Sequence, residues 1–328
     1  MARIVLGMAV PHSGMLGKAP EEWLEDGKRD HHNQMLWFRN QHWQYDDLEK
    51  ARKNEGIKAF LTLEERRARH QRTRDALVVL RKVYQEHKPD VAIIIGKDQK
   101  EIFIDTSPSL AIYSGESLPN GPPQRAVFAP DHDVVHRAHP QLALHLITSL
   151  ERDGFDVAEV LKWPQNVWMK PPKAIVPHAY GFIYRQIMQD DPVPNVPVFM
   201  NVFYPPNQPP FRRAMQLGKA LYRAVQAWDS DQKVALIASG GMSHFVCDEQ
   251  IDQLFLECFR SYDFERLANI DERTYQAGTS EVKLYVPVLY AMSQLGCETQ
   301  VVDYVPCYRT EAGTGEGFGF MYWTPKGQ

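Results

Sequence analysis

Cysteine is scarce in this chain. Four thiols occur in 328 residues, at Cys247, Cys258, Cys297 and Cys307, with no CxxC pair and no zinc-ribbon spacing. That argues against a cysteine-ligated metal module or a disulfide framework and leaves reduced core thiols. Charge of one sign is also lacking. Lys and Arg number 37 against 41 Asp and Glu, a formal net charge of −4 mixed along the chain. Such a balance gives no electrostatic footprint for nucleic acid or an anionic membrane. Long hydrophobic runs are missing too: none approaches the ~20 residues that span a bilayer. The apolar stretch Ile4-Val5-Leu6 near the amino terminus is short and reads as a strand rather than a signal peptide. The expectation is a cytoplasmic protein with no nucleic-acid and no membrane partner.

What is present is the material for a sizeable core, with 44% hydrophobic residues against 24% charged. Apolar, β-branched runs near 3–10, 91–96, 110–114, 196–203, 233–239, 299–305 and 317–323 predict strands. Helical patterns alternate with them near 63–87, 139–153, 209–228, 249–268 and 281–296. That alternation predicts an α/β fold with a central, mostly buried mixed sheet flanked by helices. Val91-Ala92-Ile93-Ile94-Ile95 is apolar without interruption, as a strand covered on both faces should be. With no repeat, low-complexity tract or linker, residues 1–328 read as a single domain. Residues 17–75, rich in charge and aromatics, form a helical insertion near the amino terminus. It serves either as a lid or as a peripheral hairpin packed on the sheet.

Histidines stand at the carboxyl ends of two predicted strands. His12 follows the first, and His244 ends the run Gly240-Gly241-Met242-Ser243-His244. In open α/β sheets ligands bind outside those strand ends, where loops converge, and glycine lets backbone come close to a ligand. Two further contexts lie at element boundaries: Pro177-His178-Ala179-Tyr180-Gly181, and Gly278-Thr279-Ser280-Glu281 at a helix start. For Glu281 alone, complementing the helix dipole is a sufficient account. The Tyr204-Pro205-Pro206 segment predicts a rigid loop after the 196–203 strand. The histidines around Ala129-Pro130-Asp131-His132-Asp133 read as a helix entry rather than a second metal site.

Taken together, His12, His178, His244 and Glu281 resemble the class III extradiol ring-cleavage dioxygenases, the family of the protocatechuate 4,5-dioxygenase catalytic subunit and of gallate and 3-O-methylgallate dioxygenases. The resemblance covers most of the chain outside 17–75 and implies a non-haem Fe(II) cofactor. It assigns His12 and Glu281 to the metal, His244 to the catalytic base, and His178 to a contact with the substrate hydroxyl or bound oxygen. The Tyr-Pro-Pro loop around Tyr204 is a further shared feature. One position departs from the family pattern. Where a second histidine ligand is expected, the segment Gly96-Lys97-Asp98-Gln99-Lys100-Glu101 carries Gln99, whose amide oxygen is a weaker donor for Fe(II) than imidazole. Three explanations stay open: Gln99 ligates directly, a histidine of the insertion (His31, His32 or His70) replaces it, or the iron site is degenerate.

The resemblance implies ring opening of a catecholic aromatic acid by O2, with lignin-derived compounds such as 3-O-methylgallate, gallate, protocatechuate or a biphenyl analogue as substrates. Tyr308 and Arg309, after the strand near 299–305, are candidates to engage a substrate carboxylate, for which a guanidinium fork is suited. An insertion within the chain makes a separate small subunit unnecessary, so a homodimer is expected. The competing readings are a zinc-dependent hydrolase using the same ligands and a non-catalytic relative acting as a binding protein.

Overall fold

The computed structural model describes residues 1–167 and 169–326. Nine strands form one mixed sheet. Its order runs His244–Val246, Thr314–Trp323, Arg3–Pro11, Lys233–Gly240, Val91–Gly96, Asn195–Met200, Leu110–Tyr113 and Ala158–Val160, with Gln300–Tyr308 paired to Thr314–Trp323. The four strands from Arg3–Pro11 to Asn195–Met200 are mutually parallel. Thr314–Trp323 runs antiparallel to Arg3–Pro11, which makes the sheet mixed. Helices cover both faces, so Val91–Gly96 is buried along its whole length and its uninterrupted apolar run is accounted for.

Two apolar layers sandwich the sheet. On one side Val282–Gln294 and Phe211–Ala227 pack on Ile4, Ile93, Val196 and Leu236. On the other, Leu63–His87 and His178–Gln186 pack on Leu6, Ile94 and Ile237. The sequence placed His178 at an element boundary but did not predict the helix His178–Gln186 that it opens. The predicted 249–268 helix is divided into Glu249–Ser261 and Phe264–Ala268, because Tyr262 takes a left-handed conformation at φ 55° and ends the first.

The 17–75 segment contains the helices Trp23–Asp30 and Tyr45–Arg52, a hairpin of Leu36–Phe38 with Gln41–Trp43, and the start of Leu63–His87. Leu36, Phe38, Tyr45 and Leu48 bury themselves against Val246 and Ala312. Arg39 pairs with Asp248, and Arg72 with Asp303. The segment thus packs against the strands His244–Val246 and Gln300–Tyr308 and the turn at Ala312. Among the described residues, no helix is long and apolar enough to cross a membrane.

Candidate active site at the carboxyl ends of the parallel strands

Arg3–Pro11, Lys233–Gly240 and Val91–Gly96 are neighbours and parallel, so the residues that follow each of them emerge at one edge of the sheet. They deliver His12, His244 and the pair Lys97 and Gln99. Glu281 arrives from the turn that opens Val282–Gln294, and His178 is the first residue of its helix. These six side chains, with Glu101 and Glu316, line one cleft of about 460 Å³. That lies within the roughly 300–1,000 Å³ of small-molecule sites.

His12 is held as a neutral base. Its Nδ1 lies 3.1 Å from Ser239 Oγ. Ser239 gives its own proton to the carbonyl of Ala179 at 2.6 Å, so Nδ1 is the donor in the histidine contact. Burial lowers the His12 pKa well below its ordinary value despite the nearby Glu281 carboxylate, which leaves Nε2 a bare lone pair. That nitrogen lies 3.6 Å from Oε2 of Glu281, and Oε2 has no hydrogen-bond partner.

The other oxygen of Glu281 is crowded with donors. Lys97 Nζ contacts Oε1, and His244 Nε2 lies 3.1 Å from it. Burial alone would raise the Glu281 pKa, but Lys97 and His244 outweigh it and hold the group well below the carboxylate range. His244 Nδ1 faces the carbonyl of Met242 at 2.9 Å. Since Met242 O and Glu281 Oε1 can only accept, His244 carries a proton on both nitrogens here. Burial opposes that charge, yet Glu281 and Glu316 prevail and its pKa is raised. Glycine is required beside it, because a Cβ on Gly278 would run into the His244 ring and carbonyl.

His178 is oriented by Glu101, which accepts from Nδ1 at 2.7 Å and from the His178 backbone N–H at 2.9 Å. One carboxylate thereby caps the helix start and leaves Nε2 free, with the ring edge-on to His12 at 4.8 Å between centroids. Burial pushes the Glu101 pKa up, but His178 more than offsets it and the net direction is down. Among the described residues Glu316 has no cation bonded to it: burial raises its pKa to about 7, with His244 opposing the rise and Glu281 adding to it.

Other candidate residues lie elsewhere. Tyr204 borders an adjoining depression with Asp98 and Phe103, its ring 5.2 Å from Lys100 Nζ. Tyr308 donates its hydroxyl to Glu249 and stacks on Phe60. Arg309 Nε donates to Asp30 Oδ2 at 2.9 Å. The structure therefore does not bring Tyr204, Tyr308 or Arg309 to the lining of the cleft; their polar groups or rings are engaged by the protein itself. His31 stacks on Tyr45, His70 lies beside Trp23, and no residue of 17–75 lines the cleft among the described residues. Lys97, Glu101 and Glu316 were missed by sequence reasoning. The available signals were the strand-end position of Lys97 and the glycines on both sides of Glu316 inside a strand.

Among the described residues no three His, Cys, Asp or Glu side chains converge as a ready-made metal cluster. The facing lone pairs of His12 Nε2 and Glu281 Oε2 nonetheless fit a cation: both are buried, both are acceptors, and no proton lies between them. Gln99 offers a neutral oxygen in the same cleft.

Residues 60–316 match the family described as the catalytic LigB subunit of aromatic ring-opening dioxygenase. That span takes in Lys97, Gln99, Glu101, His178, His244, Glu281 and Glu316. A stretch of 113 residues is 34% identical to gallate dioxygenase of Pseudomonas putida, covering 34% of this chain and 30% of that protein. The alignment thus spans under a third of the relative's length. With well over half its residues in the family match, the chain belongs to the LigB family of aromatic ring-opening dioxygenase catalytic subunits.

Proposed function

We propose that the protein is a non-haem Fe(II)-dependent extradiol dioxygenase that uses O2 to open the ring of a catecholic aromatic acid. Lignin-derived acids such as 3-O-methylgallate, gallate, protocatechuate or a biphenyl analogue are its proposed substrates. The observation that carries this reading is the buried pair of His12 Nε2 and Glu281 Oε2, 3.6 Å apart with no proton to share. His12, Glu281 and Gln99 would hold the metal, two neutral donors and one carboxylate. Bound there, Fe(II) supplies the electron-transfer chemistry between an electron-rich ring and oxygen.

The chain's own residues do the rest. His244 presents Nε2 to the cleft floor beside Glu281; protonated there, it can donate to a substrate oxygen, and once that proton has left it would act as the base for a substrate hydroxyl. His178, fixed by Glu101, offers Nε2 as a polar group where charge develops on the reacting oxygen atoms. Phe128 packs edge-on against His178, while Phe245, 44% exposed beside His244, gives the cleft a second aromatic wall. Both suit a planar ring. The chain would act without a separate small subunit, as a cytoplasmic homodimer, with 17–75 packed against the strand His244–Val246.

Substituting His244 by Phe tests the assignment. Oxygen uptake falls by about 10²-fold or more, the usual contribution of an acid–base group, while binding of the catechol is largely kept. Unchanged uptake would overturn the role.

One observation favours a second reading, a non-catalytic relative that binds a partner. Lys97 neutralises Glu281 from within the protein, so the buried carboxylate is compensated without a metal. Wild-type protein that binds no divalent ion would support that alternative.

A further inference from the structure

Besides the histidines, two cationic side chains line the cleft, Lys97 and Arg125. Lys97 is fully buried and paired with Glu281. Arg125 is exposed at the mouth, and its guanidinium has no ion-pair or hydrogen-bond partner among the described residues. The turn that carries it is nevertheless ordered by its backbone. The backbone carbonyl of Arg125 accepts from the amides of Phe128 and Ala129 at 2.8 and 3.1 Å, which pins the turn that carries it. The guanidinium itself lies on Gly14, two residues after His12, where a Cβ would overlap Nη1.

The acids on the floor sort the possible ligands. Glu281 is matched by Lys97, Glu101 by His178, and Glu316 stands beside His244. A ligand carboxylate pushed to the floor would meet these acids and find no free cation. At the mouth it would meet Arg125, whose planar fork matches a carboxylate with two parallel hydrogen bonds. The opposite end of the same ring would then reach His12, His244 and Glu281. Arg309, the arginine expected for this task from sequence, is held by Asp30.

We propose that Arg125 is the carboxylate anchor of the site and selects ring diols bearing an acid over those without one. This rests on the reading of the cleft as a site for catecholic acids. Arg125 touches the substrate away from the reacting atoms, so it sets which ring binds and which way round.

Anaerobic calorimetric titration of the Fe(II)-loaded protein with protocatechuate, and with catechol as the same diol lacking the carboxylate, tests it. In the wild type protocatechuate binds roughly tenfold tighter or more, the scale of one charge-assisted fork. Arg125→Gln removes that preference and leaves catechol affinity unchanged. Arg125→Lys keeps the charge without the fork and recovers part of the preference. A wild type with no preference, or a preference that survives in Arg125→Gln, overturns the anchor. Oxygen uptake on the same samples separates the two claims. Preference through Arg125 without oxygen uptake contradicts the dioxygenase reading alone; uptake of oxygen with an unchanged preference in Arg125→Gln contradicts the anchor alone.

Discussion

Nε2 of His12 and Oε2 of Glu281 face each other across 3.6 Å inside the protein, two acceptors without a donor between them. Burial keeps the imidazole neutral, and Lys97 and His244 keep the carboxylate ionised against its own burial. Glu281→Gln removes the charge on one side of that gap. Divalent-ion affinity is expected to fall by more than the roughly 10–100-fold seen for outer-shell substitutions, measured by equilibrium dialysis with Co(II). Retained affinity would place the ion elsewhere.

Lys97 shares the same carboxylate, so an ammonium and a metal ion compete for one negative group. Lys97→Met is expected to tighten Co(II) binding by about tenfold, since 1.4 kcal/mol of relieved repulsion corresponds to that factor. The metal-free variant should also lose about 3–5 kcal/mol of stability, because Glu281 is left buried without its main cation. Calorimetric titration and denaturant unfolding check the two effects. Unchanged or weaker metal binding would show that ammonium and ion do not compete.

Glu101 orients His178 through a charged hydrogen bond at 2.7 Å. In Glu101→Gln the imidazole keeps at most one neutral contact, and bonds to charged groups contribute about 1.5–3 kcal/mol. The turnover number is expected to fall roughly 10- to 100-fold, with substrate affinity altered far less. Equal loss in kcat and affinity would mean that Glu101 acts only on the fold.

Asp252 supplies a pH signature away from the metal ligands. Burial raises its carboxyl to about 7, although Ser243 and Tyr304 donate to it and oppose the rise. The folded protein therefore keeps a proton that the unfolded chain releases near its ordinary value of 3.8. This contribution to stability is complete below the unfolded value and is lost as pH rises through about 7. Asp252→Asn should flatten the decline in Tm between about pH 4 and 7, the window between the two values. A wild-type Tm that rises over this window relative to the variant would contradict it.

The sequence was most informative where physical constraint is local. Continuous apolar runs such as Val91–Gly96 are legible because a strand covered on both faces admits little else. His12 and His244 stood out as polar residues directly after such runs. Lys97 occupies an equivalent place but reads by default as a solvated lysine. Its partner Glu281 lies far along the chain, and only tertiary structure joins them. Glu101 was hidden for the same reason, since what gives it a role is a contact with His178 across 77 positions. Arg309 misled in the opposite direction: its type suited a carboxylate, yet Asp30 from the insertion occupies its Nε. Helix His178–Gln186 was obscured by Pro177 and Gly181, which in isolation punctuate loops. Here Pro177 is the residue before the first turn, and Gly181 lets the helix approach the Phe128 carbonyl, which a Cβ would overlap.

The most direct test of the central claim is oxygen uptake by protein reconstituted anaerobically with Fe(II), offered protocatechuate, gallate, 3-O-methylgallate and a dihydroxylated biphenyl acid in turn. The account predicts one O2 consumed per ring opened with at least one of them, accompanied by a yellow product and dependent on added Fe(II). Protein that binds no iron and consumes no oxygen with any of the four would contradict it.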